Sequence, residues 1–109
     1  MANTFKNKVF NGESSLANSD MAVYTVPSST TTVVIGLTLA NTGSTQILAD
    51  VNLNAGDMVF LAKDIPIPVG SSFEYMAGNK IVMETGHSLI VQSSVANSLD
   101  TVASIMEIT

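Results

Sequence analysis

The oxygen-bearing side chains of residues 50–57 are the part of the sequence that comes closest to a ligand-binding motif. Asp50, Asn52 and Asn54 carry side-chain oxygens at every second position, and Asp57 follows after Gly56. This arrangement superficially resembles a calcium loop. Such a loop needs its glycine at the sixth position and a bidentate glutamate at the twelfth. Here the glycine falls one place late and the twelfth residue is Leu61. The pattern therefore predicts the solvent face of a strand, and no metal is expected.

The scarcity of histidine and the absence of cysteine restrict the available chemistry. His87 is the single histidine of the sequence, and there is no cysteine. A hydrolytic triad or a zinc site would have to use His87, yet no serine lies in a G-x-S-x-G elbow and no thiolate is present. Because His87 follows Gly86, we interpret it as a polar turn residue. We expect neither enzymatic activity nor a cofactor.

The composition indicates one folded domain with few charges. The chain has 109 residues, of which 46% are hydrophobic and 12% charged, and nine carboxylates against four lysines leave a net charge of −5. Nucleic acids are bound through cations, and arginine is absent, so no nucleic-acid partner is expected. No apolar run approaches the ~20 residues of a membrane helix, so no membrane partner is expected. Residues 1–20 lack the apolar core of a secretion signal.

Short segments of alternating polarity, separated by turn residues, point to strands. The clearest is Thr31–Asn41, in which Gly36 is expected to mark a bulge or a close backbone approach. Its apolar odd-numbered positions are expected to face the core: Val33, Ile35, Leu37 and Leu39. Eight strands are predicted, at residues 21–26, 31–40, 46–53, 58–65, 71–76, 80–84, 88–95 and 100–108. This spacing predicts an all-β, single-domain antiparallel β-sandwich, jelly-roll or immunoglobulin-like, of about eight strands.

Residues 1–20 form a polar, asparagine-rich segment that precedes the predicted sandwich of residues 21–109. Phe5, Val9 and Phe10 are among its few large apolar side chains. Two phenylalanines in a bare tail would favour aggregation. We therefore interpret the segment as a partly extended N-terminal arm that pairs with a neighbouring subunit and buries its phenylalanines there.

Some predicted strands are apolar on both faces. In the last one, Ile105 stands opposite Met106 and Ile108. A two-layer sandwich buries one face of each strand, so the surplus indicates contact with another subunit in a homo-oligomer. The predicted interface comprises six residues: Phe5, Val9, Phe10, Ile105, Met106 and Ile108.

The prolines at 66 and 68 have no backbone N–H to donate to a sheet ladder. They predict that the chain changes sheets there.

Six segments between residues 21 and 108 together form one strand-and-turn pattern along the chain: VYTVP at 23–27, TVVIGLTLAN at 32–41, IPIPVGSS at 65–72, KIVMETG at 80–86, LIVQS at 89–93 and SIMEI at 104–108. The pattern resembles that of small all-β virion structural proteins of tailed bacteriophages. His87 stands where such sequences often carry Asp, which argues against a shared metal or catalytic role. The resemblance implies a non-enzymatic protein of the phage particle, assembled in the host bacterial cytoplasm.

The resemblance leaves the position on the particle open. As a capsid decoration protein, which we favour, the chain would lie on the outer head lattice, contact the major capsid protein and add buried area between its subunits. As a neck, tail or baseplate component it would form a ring or a fibre adaptor. A glycan-binding module is a further alternative. It would use the loops at residues 41–45 and 77–79, and the sequence offers Tyr75 as a nearby aromatic side chain.

Overall fold

The strands of the protein follow the segments of alternating polarity. The computed structural model describes residues 2–12, 17–75 and 80–109. Within these ranges it contains β1 (Asn3–Phe10), β2 (Met21–Thr25), β3 (Thr31–Asn41), β4 (Ile47–Asn54), β5 (Met58–Ile67), β6 (Ser72–Tyr75), β7 (Ile81–Met83), β8 (Ser88–Ser93) and β9 (Leu99–Ile108). All eight predicted strands are confirmed, with bounds within two residues of those predicted. Residues 77–79, one loop of the glycan-binding alternative, lie outside the described residues.

Two antiparallel sheets form the sandwich. The first has the order β1-β9-β3-β6, with β7 also paired to β3, and the second has the order β2-β8-β4-β5. The chain therefore pairs its first strand with its last and its second with the next to last, as a long hairpin does when it is rolled up. This is the strand order of a jelly roll and not that of the immunoglobulin fold. The predicted all-β antiparallel sandwich is confirmed.

The core lies between the two sheets and takes side chains from both. Its large, fully buried apolar side chains are Leu37, Leu39, Ile47, Ile67, Met83, Leu89, Leu99 and Ile105. They come from the central strands β3, β4, β8 and β9 as well as from the edges. The inward positions of each strand are therefore the apolar ones, as alternation requires.

A β-bulge in β3 changes which residues face the core. The pairing of β3 with β9 shifts between Val34 and Gly36, so Ile35 is an extra residue in the strand. Val34 is fully buried before the bulge and Leu37 is 2% exposed after it, whereas Ile35 is 37% exposed. The bulge predicted at Gly36 is confirmed. The prediction that Val33 and Ile35 face the core is wrong, because one extra residue reverses the alternation.

The N-terminal segment forms a strand of the sandwich within its own chain. β1 pairs with β9 over its whole length, from Asn3 to Phe10, and mutual backbone hydrogen bonds between Ala2 and Thr109 extend the ladder. The sequence predicts an arm that pairs with a neighbouring subunit. Residues 3–10 instead add an edge to the chain's own first sheet, because β9 offers an edge of matching length that satisfies their backbone groups.

The end of β1 is anchored on the start of β9 by a close backbone approach. Gly12 is buried, and a Cβ placed on it would lie 2.0 Å from the carbonyl oxygen of Leu99. The N–H of Gly12 donates a 2.8 Å hydrogen bond to the carboxylate of Asp100. Only glycine allows two backbones to pass this closely.

The chain changes sheets after its proline-rich segment, as predicted. Pro66 lies in the edge strand β5, opposite Leu48, and the next strand, β6, pairs with β3 in the other sheet. Asn41 connects the two ends of this crossing. Its side-chain amide donates a 2.9 Å hydrogen bond to the carbonyl oxygen of Ile67, and its backbone N–H donates a 3.0 Å hydrogen bond to the carbonyl oxygen of Ser71. The same amide donates a 2.8 Å hydrogen bond to the carbonyl oxygen of Thr45 in the loop after β3.

Candidate assembly interface

Apolar side chains form a row across the outer side of the first sheet. The strand register places Phe5 opposite Met106, Met106 opposite Val33, and Val33 opposite Val82. Residues opposite each other share a face of the sheet, and with strands ~4.8 Å apart the row crosses four strands in about 15 Å. The end residues Phe5 and Val82 are 72% and 61% exposed. The row therefore faces away from the core.

This row belongs to a larger surface, which we call the apolar face. Its apolar members are exposed or half-buried on the outer side of β1, β3, β7 and β9: Phe5, Val9, Val33, Ile35, Val82, Val102, Met106 and Ile108. The uncharged Asn7 and Ser104 lie between them. Glu74 and Asp100 share this side of the sheet but lie at its margin, on β6 and at the start of β9. An uncharged centre with a charged rim is typical of protein–protein interfaces.

The bulge opens a shallow groove within the apolar face. The groove has a volume of about 310 Å³ and is lined by Phe5, Lys6, Asn7, Ile35, Ser104 and Ile105. Gly36, paired with Ser104, lies beside it, and a Cβ placed on Gly36 would have no heavy atom within 4 Å. Phe5, at 72%, has the largest exposed fraction among the exposed apolar side chains of the described residues. A protruding side chain and a depression therefore stand next to each other.

The structure brings together four of the six predicted interface residues. Phe5, Val9, Met106 and Ile108 lie on the apolar face. Ile105 is fully buried in the core, and Phe10 packs against that core. The prediction of a partner contact is therefore corrected for these two side chains, because strand alternation directs them to the inner side of the sheet.

Four members of the apolar face are absent from the predicted interface. Simple alternation assigns Val33 and Ile35 to the core, and only the bulge places them outside. The sequence indicates only weakly that Val82 and Val102 face outward. The indication is that each is an apolar residue between two inward-facing neighbours. Their exposure, 61% and 42%, follows from the pairing of strands that are distant in the chain.

A buried polar network ties β1 to both sheets behind the apolar face. Glu107 of β9 is 6% exposed. Its Oε1 lies 2.7 Å from Lys6 Nζ of β1, and its Oε2 accepts a 2.6 Å hydrogen bond from the hydroxyl of Tyr24 in β2. Since that hydroxyl has a single proton, it accepts the 2.7 Å hydrogen bond that joins it to the hydroxyl of Thr32 in β3. Four strands meet in this network.

The network shifts two pKa values in opposite directions. The hydrogen bond from Lys6, followed by that from Tyr24, lowers the pKa of Glu107 and outweighs the effect of burial. Burial first, and then the hydrogen bond to Glu107, raises the pKa of Tyr24 to about 12. At neutral pH the network therefore contains an ionised carboxylate and a neutral phenol.

Two of the edge strands, β1 and β5, carry features that oppose pairing with another strand. On β1, Lys6 points inward to Glu107, and Lys8 Nζ lies 6.0 Å from the ring centre of Tyr24. Inward-pointing charges, prolines and bulges on an edge disfavour edge-to-edge association. β5 contains Pro66 and pairs with β4 through two register shifts. Association through a sheet face is therefore favoured over association through these edges.

The outer side of the second sheet is mixed in polarity. Leu48 and Phe60 are 40% and 52% exposed. Lys63 Nζ lies 4.7 Å from the ring centre of Phe60, and Asp50 accepts a 2.6 Å hydrogen bond from the N–H of Asp64. These charged groups divide the surface into small apolar parts. The apolar face of the first sheet is the better candidate for an extended contact.

His87 and Asn52, whose side chains could in principle take part in chemistry, make structural contacts. Nδ1 of His87 accepts a 3.1 Å hydrogen bond from the N–H of Glu84, which confirms its interpretation as a polar turn residue. Asn52, predicted on the solvent face, is only 2% exposed, between Phe60 and Ile90 in the sheet. In the described ranges, no three His, Asp or Glu side chains lie close enough to hold a metal ion. The same residues contain no helix that is long and apolar enough to cross a membrane.

Comparison with known proteins adds a distant structural likeness. No family model and no curated protein matches the chain. The chain is similar to a pentameric capsid protein isolated from metagenomic phage sequences, known from its crystal structure, with 19% identity and a TM-score of 0.43. The alignment covers 92% of this chain, which spans only 59% of that protein. A likeness at this level supports no conclusion about fold or function. The fold is assigned from the strand order, and the function is inferred from the apolar face.

Proposed function

We propose that the chain is a non-enzymatic structural protein of a tailed-bacteriophage virion, and specifically a capsid decoration protein. The apolar face is the observation that carries the proposal, because an exposed, uncharged sheet surface suits a subunit that acts by contact. The resemblance of residues 21–108 to small virion proteins supports the phage particle as the place where this contact is made. The jelly-roll order agrees with it, since viral capsid domains use this order, although a fold alone does not specify a function.

In this role the protein stabilises the head by burying surface between its neighbours. It would bind the major capsid protein or another virion protein, together with copies of itself, on the outer lattice. Each contact would stabilise the particle by roughly 25 cal/mol for every Å² of apolar surface removed from water. The ion pair of Lys6 with Glu107 holds β1 in place, so Phe5 is presented from a fixed strand. The proposed location is the virion after assembly in the host cytoplasm, with no cofactor, nucleic acid or membrane involved.

Co-sedimentation with phage heads tests this role. The double substitution Phe5→Ser and Val9→Ser removes side chains that are 72% and 67% exposed, so the fold should be retained. Wild-type protein should bind heads stripped of accessory proteins in a fixed ratio to the capsid subunit. The double variant should bind at least about tenfold more weakly. Phe10 is left intact because it packs against the core.

Leu48→Ser provides the control, because Leu48 is a 40% exposed residue on the opposite side of the sandwich. It should bind heads as the wild type does. Binding to isolated necks, tails or baseplates in place of heads would move the protein to that part of the particle. Failure to bind any part of the virion would overturn the proposal.

A further inference from the structure

We propose that the apolar face binds the same face of a second copy of this chain about a two-fold axis. In this arrangement Phe5 of each copy occupies the groove of the other. The proposal names the partner of the apolar face and rests on the proposed function only for its biological setting. The pair would then be the unit that binds the capsid lattice, so that loss of pairing would also weaken head binding.

The shape of the face is complementary to itself. Phe5 protrudes from β1 with 72% of its surface exposed, and it stands at the rim of the 310 Å³ groove. A two-fold axis in the contact plane, midway between Phe5 and the groove, exchanges the two positions. Each Phe5 then fills the other copy's groove, which is the reciprocal contact that an isologous interface requires. A protrusion and its depression on one face favour a second copy over an unrelated partner.

The charge distribution permits this pairing. Each copy carries a net charge of −5, but the carboxylates that share the outer side of the sheet, Glu74 and Asp100, lie at its margin. Two such faces can therefore meet without burying like charges at the centre, which would oppose association. Lys6 lines the groove, but its ammonium group is paired with Glu107 on the inner side of the sheet. No carboxylate of the described residues lies at the centre of the face to attract a partner by charge.

The size of the face reaches what a specific pair needs. Along the eight residues of β1 the first sheet is four strands wide, because β7 and β6 share the fourth position beside β3. Its outer side therefore covers about 26 by 19 Å, or about 500 Å² in each copy and about 1,000 Å² in the pair. This is near the lower limit for a specific interface. Insertion of Phe5 into the groove buries further surface beyond this flat area.

The first test measures the mass of the purified protein by light scattering at about 100 μM, well above the Kd of a micromolar pair. The wild type should have twice the chain mass of 11.4 kDa. Val102→Glu places a charge on the face, and Gly36→Leu fills the open space beside the groove, where a Cβ meets no atom within 4 Å. Each should raise the Kd at least about tenfold. Leu48→Glu is the matched control, because Leu48 and Val102 are 40% and 42% exposed on opposite sides of the sandwich.

A second measurement does not depend on how well these variants fold. The chain has no cysteine, so Val82→Cys and Leu48→Cys each introduce a single thiol. Alkylation of the thiol at position 82 should slow as the protein concentration rises, because pairing covers it. Alkylation at position 48 should not change.

Three results would overturn the proposal: a wild-type monomer at about 100 μM, an assembly of more than two copies, or dissociation by Leu48→Glu while Val102→Glu remains paired. Heads are absent from both measurements. A pair that fails to bind heads would therefore uphold this inference and overturn the proposed function. A monomer that binds heads would overturn this inference and uphold the proposed function.

Discussion

Glu107 adds a buried side-chain contact to the backbone ladder that holds β1. A carboxylate that is 6% exposed is costly to bury unless charged and hydrogen-bonding partners compensate it. Lys6 provides the charge at 2.7 Å, and the hydroxyl of Tyr24 provides a hydrogen bond at 2.6 Å. Lys6 directly follows Phe5 in β1, so this inward contact also sets the position from which Phe5 points outward.

Glu107→Gln should lower the free energy of unfolding at pH 7 by about 1–2 kcal/mol, because it removes the ion pair while keeping an acceptor for Tyr24. The pKa of Glu107 is lower in the folded chain than in the unfolded one. Its contribution to stability is therefore complete above the unfolded pKa, near 4.5, and is lost as the pH falls through the folded pKa. The difference between wild type and variant should shrink below about pH 4. Urea unfolding at several pH values measures it.

Glu74→Gln serves as the control for this experiment, because Glu74 is exposed on the edge strand β6. It should change stability by no more than about 0.5 kcal/mol. A Glu107→Gln variant with the same small effect at pH 7 would show that the network does not hold β1.

The bulge of β3 has two effects on this element and its neighbours. It reverses the alternation of the strand, so that Val34 and Leu37 face the core while Ile35 lies outside. It also sets Ile35 and Gly36 beside Ser104, where the groove forms. The same irregularity therefore determines part of the core and part of the apolar face.

Alanine substitutions at the bulge and just after it test which side chains of β3 face the core. Leu37→Ala should lower the free energy of unfolding by about 2–5 kcal/mol, because it leaves a cavity at a side chain only 2% exposed. Ile35→Ala should cost about 1 kcal/mol or less, since Ile35 is 37% exposed. Urea unfolding at low protein concentration keeps association from contributing. Equal losses for the two variants would contradict the bulge.

At the scale of the whole molecule, the net charge and the apolar face act in opposite directions. A charge of −5 on each copy repels a second copy at long range. The contact itself is apolar, with the acidic Glu74 and Asp100 at its margin. Association should therefore be limited by a repulsion that salt can screen.

Raising sodium chloride from about 0.05 to about 0.5 M should lower the Kd of the pair, because screening weakens the repulsion and leaves the apolar contact intact. Sedimentation equilibrium at the two concentrations measures the change. A pair that weakens severalfold in high salt would indicate ion pairs across the contact and would contradict an apolar interface.

Local features of the sequence determined the strands. Alternation and turn residues located eight of them within two residues, and Gly36 marked the bulge, because both are properties of short segments. The apolar surplus of the last strand marked Ile105, Met106 and Ile108 together, and it did not distinguish the buried Ile105 from the two outward-facing side chains. The residues of β1 have few apolar side chains and lack such a signal, and β9 supplies the pairing that makes them a strand.

Contacts between distant parts of the chain decided the rest. Ile105 and Phe10 point inward because of the register of β1 with β9, and Val33 and Ile35 point outward because the bulge reverses the alternation. Glu107 meets a tyrosine 83 positions away in the sequence. The sequence by itself therefore determined which segments are strands, whereas the tertiary structure decided which side chains share a face, because register is set by pairing and not by local composition.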